Sequence, residues 1–120
     1  MYRKLLRGKI HRATVTATAL DYEGSIGIDA DLLAAAGIAP LESVHVWNVT
    51  NGERFETYAI VSPAGSGEIL VNGAAAHKTH VGDTVIMAAF TWLTEKELRR
   101  HKARIVLVDA KNRVQKLKEK

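Results

Sequence analysis

Ser43-Val-His-Val-Trp-Asn-Val49, then Asn51-Gly52, then Arg54-Phe-Glu-Thr-Tyr-Ala-Ile60, is the stretch that decides the fold. Strict alternation puts Val44, Val46 and Asn48 on one face and His45, Trp47 and Val49 on the other, the two-residue period of a strand with one buried side. Asn-Gly accepts the positive φ of a tight turn, so alternating runs on either side of it read as an antiparallel hairpin. Working outward, Ala13 to Ala19 alternates small residues with threonine, and Ile69–Val71, Thr84–Phe90 and Ala103–Val108 read as further strands. Thr84–Phe90 is apolar enough to be buried on both faces. Turns are expected at Ser62–Gly67 and Gly82-Asp83. Asp29 and Gly37 bracket a two-turn helix as N-cap and C-terminal glycine. Thr94 and Glu97 form a capping box that opens a second helix to about His101. Many short strands and few helices in 120 residues predict a mainly β domain, a compact barrel rather than a βαβ sheet.

The composition suits that domain: 47% hydrophobic and 25% charged residues can form a core, which excludes a disordered chain. No apolar run approaches the ~20 residues of a membrane span. The basic N-terminus lacks the apolar stretch of a signal peptide, so a soluble cytoplasmic protein is expected. With no cysteine, thiol nucleophiles, thiolate metal sites and disulfides are all excluded. The net charge of +4 is concentrated at the ends. Residues 1–12 carry five basic and no acidic side chains, residues 13–94 only Arg54 and Lys78 against nine acids, and residues 95–120 ten basic against four acidic. Such ends fit either a nucleic-acid surface or a solvated helix followed by a frayed tail over 111–120. The last 28 positions contain no aromatic residue for base stacking, which favours the second.

Few catalytic options remain. His77 and His80 are the closest of five histidines, without further ligands at zinc spacing. There is no G-x-S-x-G elbow and no phosphate-binding loop, and the chain is small for a pyridoxal enzyme. Tyr22-Glu23-Gly24-Ser25 stands out. Gly-Ser is a common turn dipeptide, yet a serine hydroxyl beside a flexible glycine carbonyl can also attack it. The resulting ester can eliminate to dehydroalanine, whose hydrolysis leaves a pyruvoyl group, a carbonyl electrophile built from the chain itself.

Gly8-Lys-Ile-His-Arg12, Tyr22-Glu-Gly-Ser25, Trp47-Asn-Val-Thr-Asn-Gly52 with Arg54, Thr57-Tyr-Ala-Ile60 and Val71-Asn-Gly-Ala-Ala-Ala-His77 occur in order over residues 1–110. In these blocks the chain resembles the pyruvoyl-dependent aspartate 1-decarboxylases, lyases that make β-alanine and carbon dioxide from L-aspartate for pantothenate synthesis. The resemblance implies a six-stranded double-psi β-barrel with short helices. It also implies self-cleavage after Gly24 into chains 1–24 and 25–120, and a homotetramer with active sites between subunits. The partners implied are L-aspartate, the other copies of the chain and, where cleavage is assisted, a maturation helper protein, with neither nucleic acid nor membrane. No metal is implied. Ser25 would become the pyruvoyl cofactor that forms a Schiff base with aspartate, and Tyr58 would protonate the carbanion left by decarboxylation. Thr57 would hold the Gly24 carbonyl, and Asn72 with Gly73, Ala74 and Ala75 would accommodate substrate.

Aspartate's two carboxylates call for fixed positive charge, and Lys9 and Arg54 are the candidates. Lys9 and His11 lie two apart on one strand face, where they can share a pocket, and His11 is supporting. Tyr22 would lie near the cleavage point. Each residue also has an ordinary reading: Tyr58 as packing, Arg54 as a solvated residue beside a hairpin, Gly73–Ala75 as a tight connection. Two rival functions stay open at this stage, a small barrel used as a binding module and a relative that never cleaves.

Overall fold

A computed structural model describes residues 1–120. It has nine strands: β1 (Tyr2–Thr14), β2 (Ala17–Ala19), β3 (Ser25–Asp29), β4 (Ser43–Asn48), β5 (Arg54–Ser62), β6 (Ile69–Asn72), β7 (Thr84–Thr94), β8 (Arg104–Val108) and β9 (Val114–Glu119). Two short helices, α1 (Ala30–Ala36) and α2 (Glu95–Leu98), and a 3-10 segment over Gly73–Lys78 complete it.

The hairpin that opened the sequence reading is present. β4 and β5 pair antiparallel from Ser43↔Tyr58 to Trp47↔Arg54, with Gly52 at φ 80° in the connection. Val44, Val46 and Asn48 are buried, as alternation requires. Strand order is β2-β6-β3-β5-β4-β7-β1-β8-β9. The ladder has two ends, but the chain joins them: β1 beside β7 runs through Val15 and Thr16 into β2, which pairs with β6 at the far end. Counting β1 and β2, joined through Val15 and Thr16, as one position gives a mainly β barrel of six positions, with the β8-β9 hairpin added along β1. Every position contributes to one core: Ile10 and Val15, Ile69 and Val71, Ile26 and Ile28, Ala59, Val44 and Val46, and Val85 and Met87. The α1 residues Leu32, Leu33 and Ala36 pack against the same cluster.

Both predicted caps are in place. The Asp29 side chain accepts from the Asp31 N–H, and Gly37 ends α1 at φ 70°. Thr94 and Glu97 form the reciprocal capping box, although α2 stops at Leu98 instead of reaching His101.

Three expectations are corrected. The run Ala13–Ala19 is not one strand: Val15 leaves the ladder because its N–H donates to Asp83 O and its carbonyl accepts from Gly82 N. β7 is buried on one face more than on two, because Ile86 and Phe90 are only half-covered. Residues 111–120 are not a frayed tail. β9 pairs with β8 from Arg104↔Glu119 to Val108↔Val114, and buried Asn112 anchors the turn between them. Backbone pairing makes this strand, since all six of its side chains are exposed.

Candidate active site

Ser25 opens β3 directly opposite Asn72, the last residue of β6. Its side chain is 1% exposed. The hydroxyl donates to Glu23 O at 3.1 Å and accepts from Asn72 Nδ2 at 3.0 Å. Asn72 is fully buried, and its Oδ1 has no partner. A buried acceptor without a donor costs about 1–3 kcal/mol, so it marks a place where function overrides stability.

Gly73 follows at φ 72°, where an L side chain is strained. A Cβ there would stand 2.7 Å from Gly24 Cα and 3.1 Å from Tyr22 O, so only glycine lets the 3-10 segment close on the Gly24-Ser25 bond. Gly24, Thr57, Asn72, Ala74 and Ala75 then line a cavity of about 280 Å³ together with Phe55, Glu56 and Lys78. That volume suits a small amino acid.

The 3-10 segment is held from behind. Asn48 Nδ2 donates to Lys78 O at 3.2 Å and to Asp83 Oδ2 at 2.8 Å, while Asn51 Nδ2 donates to Lys78 O at 3.0 Å. The Asn48 hydrogen bond, joined by the His80 N–H, holds the Asp83 carboxyl below its usual value of 3.8 against the opposing effect of burial. The Asn-Gly hairpin turn therefore also fixes one wall of the cavity.

The other anticipated residues lie elsewhere on this single chain. Lys9 and His11 do share a pocket, but with Leu6, Ile105, Leu107, Lys118 and Lys120 on the β1–β8–β9 face. Burial first, then Lys9, Arg12 and Lys118, push the His11 pKa below 6.5. Arg54 stacks on Trp47, its guanidinium carbon 4.8 Å from the ring centre. Tyr22 is exposed and lines a neighbouring crevice that reaches Asn72. Tyr58 is half-buried next to Thr57 on β5 and, like Ser25 itself, does not line the cavity at Gly24.

Phe55, Glu56 and Lys78 were not among the site residues read from the sequence. Glu56 accepts from the Ser43 hydroxyl at 2.6 Å and lies 3.8 Å from His45 Nε2, and these two neighbours hold its carboxyl below the usual 4.5. Its pairing across the hairpin with His45 was the available signal.

A buried serine after glycine is thus clamped by asparagine next to a small cavity. The aspartate decarboxylase family model matches residues 1–115. The chain belongs to that family. Aspartate 1-decarboxylase of Stenotrophomonas maltophilia (strain K279a) is 55% identical over 114 residues, 95% of this chain and 90% of that protein. Its counterpart in Legionella pneumophila (strain Lens) is 54% identical over 98% of this chain and 88% of its own length. That of Ralstonia nicotianae is 51% identical over 98% of both. Among solved structures, the rationally designed mkDPBB_sym1 protein is 21% identical, with a TM-score of 0.47 over 72% of this chain and 96% of its own. Members of the aspartate decarboxylase family are carboxy-lyases. No helix is long and apolar enough to cross a membrane.

Proposed function

We propose that this chain cleaves itself between Gly24 and Ser25 and then decarboxylates L-aspartate to β-alanine and carbon dioxide, the step that supplies pantothenate synthesis. The observation that carries the reading is the buried Ser25 hydroxyl, held between Glu23 O and Asn72 Nδ2 beside a glycine on a cavity wall.

Ser25 Oγ attacks the Gly24 carbonyl carbon. The peptide C–N bond breaks, the hydroxyl proton passes to the freed amine, and Gly24 is left as an ester on Ser25. Asn72 Nδ2 already donates to that oxygen, and it stabilises charge there as the proton leaves. Thr57 lines the same cavity as Gly24, and in this reading its hydroxyl donates to the Gly24 carbonyl oxygen. Loss of the Ser25 Cα proton then expels the Gly24 carboxylate and leaves dehydroalanine, which takes up one water and releases ammonia. The residues present fit the pyruvoyl group so formed: Asn72 Nδ2, already aimed at the Ser25 side chain, offers a donor to a carbonyl oxygen there, and Gly73 keeps the space against Gly24 clear. When in place, that group supplies a carbonyl electrophile for the substrate amine and a sink for the electrons of the departing carboxylate.

Tyr58 delivers the proton that completes β-alanine. Lys9 and Arg54 meet the aspartate carboxylates in a homotetramer, which explains why one chain leaves Lys9, Arg54, Tyr22 and Tyr58 outside the cavity at Gly24. Ser25→Ala tests the mechanism. The variant stays at full length and releases no carbon dioxide from aspartate. Two bands on a denaturing gel from that variant would contradict the reading.

A further inference from the structure

The cavity at Gly24, next to Ser25 in the chain, is lined by one basic residue, and it is neither of the two that the sequence reading put forward. Of the eight residues that line it, Lys78 alone is basic and Glu56 alone acidic. Glu56 already has its own partners in Ser43 and His45, so it does not neutralise Lys78.

Lys78 is also held in an unusual way. Its backbone is pinned, because its carbonyl accepts from both Asn48 and Asn51. Its ammonium has a single weak tether, Glu53 Oε2 at 3.4 Å, between side chains 46% and 50% exposed. Exposed ion pairs of this kind contribute only about 0–1 kcal/mol. An anchored stem with a loosely held head can exchange one carboxylate for another at little cost. The exchange gains when the incoming carboxylate lies in a cavity less hydrated than the surface.

We propose that Lys78 is a substrate-binding residue that takes the side-chain carboxylate of the incoming aspartate, the one kept in the product, with Glu53 holding the ammonium before substrate arrives. This rests on the function proposed above and adds a same-chain cation to it. Because the contact forms on binding and persists through the reaction, it lowers KM and leaves kcat nearly untouched.

The test is steady-state β-alanine production from L-aspartate by fully cleaved parent, Lys78→Met, Lys78→Arg, Glu53→Gln and Lys116→Met. Cleavage is checked on a gel for each. Lys78→Met should raise KM by about tenfold, the effect of a charge-assisted contact discounted for partial exposure. Lys78→Arg should return KM to within about twofold of the parent, and Glu53→Gln, which frees the ammonium, should lower it by up to about twofold. Lys116→Met removes the same charge from exposed β9 and should leave KM unchanged. A cleaved, active Lys78→Met with the parent KM would overturn this proposal alone. A parent that makes no β-alanine overturns the function and this proposal together.

Discussion

At the scale of single residues, building the electrophile and using it place different demands on neighbouring side chains. Thr57 lines the cavity beside Gly24, whereas Tyr58 does not. Thr57→Val should therefore slow cleavage. Tyr58→Phe should cleave normally yet make β-alanine about 10²–10⁴-fold more slowly, the usual contribution of a positioned general acid. Fragment ratio and β-alanine rate, measured on the same two preparations, check both. A processed Tyr58→Phe at the parent rate would make Tyr58 packing. Gly73→Ala forces a side chain onto φ 72° and to within 2.7 Å of Gly24 Cα. It should cost more than about 1 kcal/mol in a denaturant titration and slow cleavage as well. Residue-scale chemistry was the most legible part of the sequence, because Gly24-Ser25 and Asn72-Gly73 are local signals that the fold needs only to bring face to face. Lys78 and Glu56 carried no such signal. A charged residue beside a turn looks solvated until the chain across from it is placed.

At the scale of elements, the sequence showed what depends on periodicity and caps, and concealed what depends on pairing. The β4–β5 hairpin and the ends of α1 follow from side-chain patterns within a few residues. β3 does not: Ser-Ile-Gly-Ile-Asp contains poor strand formers and is a strand because β5 and β6 flank it. β9, with its lysines, is a strand because β8 presents an unpaired edge. Asn112 makes that hairpin part of the barrel: Nδ2 donates to Thr14 O and Gly67 O, and Oδ1 accepts from Thr14 N. Asn112→Ala loses all three bonds and leaves alanine at φ 60°. At about 1 kcal/mol per bond, the loss should be roughly 2–4 kcal/mol, a fall in Tm on the order of 10 °C by calorimetry. Lys116→Ala on the same hairpin should change it by less than about 0.5 kcal/mol. If Asn112→Ala melted like the parent, the hairpin would be an appendage after all.

At the scale of the whole molecule, positive charge gathers at the β1–β8–β9 face. Burial and the cations Lys9, Arg12 and Lys118 favour neutral His11 in the folded state. Its pKa is therefore lower folded than unfolded, and the unfolded chain binds more protons as pH falls through 6.5. Stability contributed by neutral His11 is complete above that value and is lost on acidification. Between pH 7.5 and 5.5 the parent should lose more Tm than His11→Gln does, a window that lies above the range of the lowered Glu56, Asp83, Glu97 and Asp109 carboxyls. Equal losses would show that His11 is not the group responsible. The central claim, that the Gly24-Ser25 bond is made to break, is tested most directly by mass spectrometry of purified protein after prolonged warming. The account predicts two fragments, 1–24 and 25–120, the larger beginning with a pyruvoyl group. A single intact chain with a free Ser25 hydroxyl would contradict it.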